Sequence, residues 1–243
     1  MTINIVIVFV TGIVVGVING LAGGSSIISY PVLMAVGLNP LSAVVTNAVG
    51  VTSANFFALR AHKIPFKKLV RDNSTLIIVS IIGTIAGALT LLSQPMTVLE
   101  KVIPFLLLLA SATLLIPIPD HATGLSSRNE HVAIFGTGLY CGYFGPGQGL
   151  MVLATLARDA RRSPATLNVT KNIIVGVTAM VSNVMYMFSG HVHWAYAGTL
   201  AVGASIGGLY GGKWVSRVSV QVYRRLIFTV GITASIWLFI KYY

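Results

Sequence analysis

Two stretches combine residue types that rarely meet inside an apolar chain. One runs Asn19-Gly20-Leu21-Ala22-Gly23-Gly24-Ser25-Ser26, the other Gly145-Pro146-Gly147-Gln148-Gly149. Glycine is costly within a helix, so each cluster reads as an interruption. A break inside hydrocarbon bares backbone groups that cost several kcal/mol each unless protein or water satisfies them. Where a helix restarts after a break, its first N–H groups and its dipole present partial positive charge. That arrangement suits an anion. The helices restarting near Ser25 and Gln148 would supply such ends, with Asn19, Gly20, Gly23, Gly24, Ser25 and Ser26 at one break and Gly145, Gly147 and Gln148 at the other. Glycines can also do no more than let helices pack closely. Two matched clusters, both carrying polar residues, favour a cavity.

Lys171, in the run NVTKNIIVGV, is the second feature. It falls seven residues into its apolar segment, about 10 Å from the start of a helix. A charge at that depth is expensive and marks a functional position, although a lysine stem can also carry its head toward the interface. Thr170 and Asn172 flank it, and Thr46 and Asn47 occupy the equivalent place earlier in the chain without the charge. One cation in a pseudo-symmetric pair of polar patches favours negatively charged cargo. Asn55, Ser182 and Asn183 form a deeper polar layer, which interhelical hydrogen bonding explains about as well as substrate contact.

What is missing narrows the chemistry. The acids are Asp72, Glu100, Asp120, Glu130 and Asp159, and the histidines are His62, His121, His131, His191 and His193. All fall in or beside loops or at segment ends, so no carboxylate or imidazole is expected in mid-membrane to relay protons. Ser25 and Ser26 have no visible base, which argues against a protease. The single cysteine, Cys141, forbids an internal disulfide, and no metal-ligand spacing appears. No enzyme activity, cofactor or metal is expected.

These residues need a membrane scaffold. The 243 residues are 55% hydrophobic and 9% charged, against roughly 25% charged in soluble domains. The formal charge of +11 falls between apolar segments, which reads as a topology signal facing anionic lipid and not as a nucleic-acid surface. Apolar segments run near 3–37, 40–59, 75–93, 99–118, 131–157, 164–188, 194–214 and 220–240. Most have the length of about 20 residues that crosses ~30 Å of hydrocarbon. The first and fifth are the interrupted ones, the fifth broken by Gly142 and by the run from Gly145 to Gly149. The N-terminal stretch lacks the basic region and cleavage site of a signal peptide.

The chain repeats itself. An offset of about 122 residues places Gly16 on Gly138, Gly20 on Gly142 and Gly23 on Gly145; Pro40 and Thr46 then match Pro164 and Thr170. Later, IGTIAGA matches IGGLYGG. If all eight segments cross, Lys and Arg divide evenly between the two sides. If the two interrupted segments fold back as re-entrant hairpins, every Lys and Arg except Lys101, Lys171 and Lys241 falls on the cytoplasmic side. The expected architecture is therefore an all-α polytopic membrane protein of two inverted repeats, each a broken, re-entrant Gly-rich segment plus three transmembrane helices. The halves are 1–118 and 131–243, joined by a loop at 119–130.

The ordered set GVINGLAGGSSIISYPVLMAVGLNPLSAVVTNAVG, ATLNVTKNIIVGVTAMVSNVMYMFSGHVHW and IGGLYGGKW resembles the TauE/SafE family of sulfite and organosulfonate exporters over nearly the whole chain. The resemblance implies a bacterial or archaeal cytoplasmic membrane and export of small anions such as sulfite. It implies binding roles for Gly20, Gly23, Gly24, Thr170, Lys171, Ser182 and Asn183. Pro146 and Gln148 depart from the family's usual glycines. The expected function is a secondary transporter of a small anion working by alternating access, with the lipid bilayer and that anion as partners. Ion-coupled import, a channel and a non-transporting membrane assembly protein are the alternatives.

Overall fold

The computed structural model describes residues 2–19, 25–59, 66–115, 126–158, 162–215 and 220–243. It is all-helical there. The elements are α1 (Thr2–Asn19), α2 (Ser26–Ala35), α3 (Pro40–Leu59), α4 (Phe66–Asp72), α5 (Ser74–Ser93) and α6 (Met96–Thr113), then α7 (Ser127–Tyr143), α8 (Gln148–Leu156), α9 (Pro164–Met187), α10 (Trp194–Val215) and α11 (Val220–Tyr242). The short α4 occupies what the sequence reads as part of a basic loop. Among the described residues three helices, Ser74–Ser93, Met96–Thr113 and Arg225–Tyr242, are long and apolar enough on their own to cross a bilayer. Ile78 and Ile82 on α5 are each 55% exposed, and Phe105, Leu109, Ile236 and Ile240 are exposed on α6 and α11. A continuous apolar exterior of this kind is the surface that lipid covers.

Both interrupted segments return on themselves. The Asn4 side chain, at the start of α1, donates to the Val36 carbonyl just past α2 (3.2 Å). Glu130, at the start of α7, is ion-paired with Arg162 beyond α8 (2.5 Å). In each hairpin the second helix therefore ends beside the start of the first. A short stop then leads into a long helix by the same device. Asn39 Oδ1 accepts the Ser42 N–H (2.8 Å) ahead of α3, and Ser163 Oγ accepts the Thr166 N–H (3.3 Å) ahead of α9. Each N-cap precedes a proline, Pro40 or Pro164, whose fixed φ and missing N–H suit a first helical turn.

Glycine seams bind the halves. On α1 and α10, a Cβ at Gly16 would lie 2.1 Å from Ala204 O and one at Gly207 2.1 Å from Ile13 O. On α5 and α7, a Cβ at Gly87 would lie 2.0 Å from Leu139 O and one at Gly142 1.9 Å from Thr84 O. Residue numbers rise together across each seam, so α1 runs parallel to α10 and α5 parallel to α7. The expectation that Gly142 belongs to the second break is corrected here: it lies within α7 as a packing residue. By contrast α3 and α9 run antiparallel. Thr46 near the start of α3 accepts the His193 N–H beyond the end of α9 (2.9 Å), while Thr52 meets Asn183 (2.6 Å).

Candidate functional site

The second break is built by glycine geometry. α7 stops at Tyr143, and the Phe144 and Gly145 N–H groups both return to the Tyr140 carbonyl (2.9 and 3.0 Å). Gly145 and Gly147 hold φ of +91° and +85°, a region that a Cβ disfavours. Pro146 lies between them, and its carbonyl accepts the buried Tyr140 hydroxyl (2.6 Å). The chain then restarts as α8 at Gln148. In this first turn Gln148 N–H bonds Gly145 O, and Leu150 and Met151 N–H share Gly147 O. Phe144 meets Tyr30 of α2 edge-on, with ring centroids 5.1 Å apart, so the two hairpins touch beside this break.

A cavity of about 100 Å³ opens at that point, room for about three waters at ~30 Å³ each. The break forms one wall. α3 contributes Asn47, Ala48, Val51 and Thr52, α9 contributes Val175, Ala179, Ser182 and Asn183, and Ser26 from the start of α2 closes it. These positions recur three, four or five apart, the spacing of one helix face. Among the described residues, none that lines it is acidic or basic. The polar lining is tied to its walls. Ser29 Oγ donates to Asn47 Oδ1 (2.5 Å), which leaves the Asn47 amide N–H groups as donors. Gln148 Nε2 donates to Thr178 Oγ1 (3.0 Å), and Asn183 Nδ2 donates to Thr52 Oγ1 (2.6 Å). With the N-terminal dipole of α8 alongside, the cavity has the electrostatics of a small-anion site.

Of the residues singled out from sequence, Ser26, Asn47, Gly145, Gly147, Gln148, Ser182 and Asn183 line this cavity. Ser25 is buried close by with its hydroxyl unpartnered. Thr46 is buried and holds the His193 backbone, away from the lining. Thr170 is buried with its hydroxyl unpartnered, and Lys171 and Asn172 are half-buried. None of these three borders the cavity. Lys171 does share its stripe, one helical turn before Val175 and two before Ala179, so its Cα lies about 6 Å along the axis from the lining. Gly20, Gly23 and Gly24 lie outside the described residues, as do the side chains of Asn19 and Asn55.

The sequence reading missed Thr52, Thr178, Cys141 and Phe144. Thr52 and Thr178 could have been found, since each sits one helical turn from a residue already chosen or from its neighbour. Tyr140 and Tyr186 carry no such signal. They act at a distance, Tyr186 through its hydroxyl on the Gly142 carbonyl (2.6 Å).

Helices that expose apolar faces, a hairpin that turns back at the α7–α8 glycine break and a polar cavity beside it fit a polytopic membrane protein. The sequence profile described as Sulfite exporter TauE/SafE matches residues 8–238, and the chain belongs to that family. Similar proteins include a "Probable membrane transporter protein" of Haemophilus influenzae, 27% identical over 86% of this chain and 84% of its own. The "Probable membrane transporter protein YfcA" of Escherichia coli K12 is 25% identical over 94% of this chain and 87% of its own. A third, ORF9 of a Sinorhizobium species, is 25% identical over 94% and 89%. No solved structure matches the chain. The protein is a membrane transporter and not an enzyme.

Proposed function

We propose that this transporter exports a small oxyanion of the sulfite or organosulfonate class across a bacterial or archaeal cytoplasmic membrane, by alternating access around the cavity at the α7–α8 break. The observation that carries the reading is the convergence of the α8 N-terminus with Asn47, Thr52, Gln148, Ser182 and Asn183 on a space that, among the described residues, no acidic side chain lines. Lys171, one turn away along α9, adds a positive charge on the approach. The returning hairpins and the antiparallel α3–α9 pair support two inverted repeats. Because α1 is seamed to α10 and α5 to α7, the moving bodies would be these pairs and not the sequence halves.

Direction follows from charge. With the cell interior negative, each unit of negative charge that leaves gains ~2.3 kcal/mol per 100 mV. Export therefore needs no coupling ion. Purified protein should be stabilised against heat by sulfite or a small sulfonate and not by acetate, because a ligand that binds only the folded state raises its melting temperature. In proteoliposomes an imposed potential alone should drive flux, and Lys171→Met should cut it without lowering the melting temperature. Undiminished flux in that variant would remove the lysine from the pathway, and no stabilisation by any small oxyanion would overturn the reading.

A further inference from the structure

A crease between α2 and α11 has the opposite character to the polar cavity. Its volume is about 390 Å³, within the range of small-molecule sites. Pro31 and Ala35 line it from α2, and Thr229, Thr233, Ala234 and Trp237 line it from α11. Thr229, Thr233 and Trp237 recur four apart, on one face of the helix. The two threonines do not make the crease polar. Thr229 Oγ1 donates to the Arg225 carbonyl (2.9 Å) and Thr233 Oγ1 to the Thr229 carbonyl (2.8 Å). With both hydroxyls committed to their own helix, the crease offers water few partners. The stretch Arg225–Tyr242 of α11 is also long and apolar enough to cross the bilayer, so what meets this face is hydrocarbon.

The surroundings say which kind. α2 and α11 touch directly, since a Cβ at Gly231 would lie 2.9 Å from Ile27 Cγ2. Axes of helices in such contact lie roughly 8–10 Å apart. A third helix, itself about 10 Å across, can lie over the crease without entering it, whereas a single acyl chain can enter. One end of the crease is charged. Lys241 follows Trp237 by one turn, and its ammonium lies 5.2 Å from the Trp237 ring centroid and 5.4 Å from that of Tyr242. Among the described residues it makes no ion pair. The Tyr243 hydroxyl donates to the Lys101 carbonyl (3.4 Å), which brings a second lysine to this end, with Glu100 as its acidic neighbour. Tryptophan, tyrosine and lysine gathered at the end of a spanning helix are the side chains that sit at headgroup level.

We infer that the crease binds an anionic phospholipid, with one acyl chain between α2 and α11 and the phosphate at Lys241. Lys101 adds to the positive field there. The re-entrant topology leaves both lysines off the cytoplasmic side, so the lipid belongs to the outward leaflet. Its tail backs α2, whose Tyr30 packs on Phe144 at the break and whose Ser26 closes the polar cavity. Occupancy therefore braces a wall of that cavity from the lipid side. The inference does not depend on which anion is carried.

The test takes the full chain in detergent, freed of lipid, and adds dioleoyl phosphatidylglycerol or dioleoyl phosphatidylcholine, which share their tails and differ in charge. Binding is read from the rise in melting temperature and from bound lipids counted by native mass spectrometry. Phosphatidylglycerol should bind the parent more tightly than phosphatidylcholine, and Lys241→Gln should weaken it about fivefold, the worth of one lysine at a lipid surface. Thr233→Phe and Ala35→Phe, at exposed positions on the two walls, fill the crease. Both should abolish the preference and leave the lipid-free melting temperature near that of the parent. The effects of Lys241→Gln and Thr233→Phe should not add, because they act on one site. Equal binding of the two lipids by the parent would overturn the inference. A preference that survives in Lys241→Gln and in both filled variants would assign it to basic loops elsewhere and overturn it as well. A dimeric parent that Thr233→Phe converts to monomers, with lipid binding unchanged, would make the crease an interface between copies. None of these results bears on the oxyanion reading, which stands on the polar cavity.

Discussion

Gly142 offers a sharp test of the packing, because its own helix holds the control. A Cβ at Gly142 would lie 1.9 Å from Thr84 O and 2.7 Å from Ala88 N, both backbone atoms of α5. Restoring ordinary contact at 3.4 Å requires about 1.5 Å of separation between two rigid helices. Overpacking of this kind costs about 1–3 kcal/mol, with backbone neighbours toward the upper end. At Gly136, six residues earlier on α7, a Cβ would meet nothing within 4 Å. Gly136→Ala should gain up to ~1 kcal/mol of helix propensity. The two alanine variants should therefore differ by about 2–4 kcal/mol, with Gly142→Ala the less stable in thermal unfolding of purified protein. Flux should fall as well, since the Gly142 carbonyl holds Tyr186 and the next residue, Cys141, lines the cavity. Equal melting temperatures for the two variants would refute the claim that α5 and α7 meet through bare backbone.

The Glu130–Arg162 pair, with side chains only 14% and 16% exposed, lies between the surface and fully buried cases. Glu130→Gln should cost ~1–3 kcal/mol, and a double-mutant cycle with Arg162→Gln should return a favourable coupling; additivity would mean that the pair does not hold the hairpin. Tyr140→Phe strips the bond from the Pro146 carbonyl and should destabilise by ~1–3 kcal/mol while weakening anion binding; unchanged binding would show the break holds its form unaided. Single cysteines at Thr2 and Arg158, in a chain without Cys141, should react with an impermeant thiol reagent from opposite faces of the membrane; labelling from one face would exclude the inverted arrangement.

Local chemistry made much of this legible. The glycine run at 145–149 and the N-cap-plus-proline pairs at Asn39–Pro40 and Ser163–Pro164 are decided within a few residues, so the second break and these helix starts could be read directly. The helix face carrying Ser182 and Asn183 could be read for the same reason. Gly142 misled because a glycine that breaks a helix and one that packs it look alike until the neighbouring backbone is known. Lys171 was given a central place because charge in an apolar segment stands out, yet α9 sets it a turn short of the cavity. Which carbonyl each tyrosine reaches depends on the three-dimensional approach of helices far apart in sequence, and no spacing records that. The bond from Asn183 to Thr52 joins residues far apart in the chain, and it emerges only when both helices are side by side.

The parallel seams also bear on how the chain is made. Gly12 and Gly16 on α1 have their complement at Gly203 and Gly207 on α10, so α1 leaves the ribosome well ahead of α10 and must wait in the lipid until α10 has been inserted. Until then its narrow face is a vacancy that any other small-residue helix could occupy. A truncated product lacking α10 would keep that face bare, and the cell's membrane quality control would meet it as an orphaned segment.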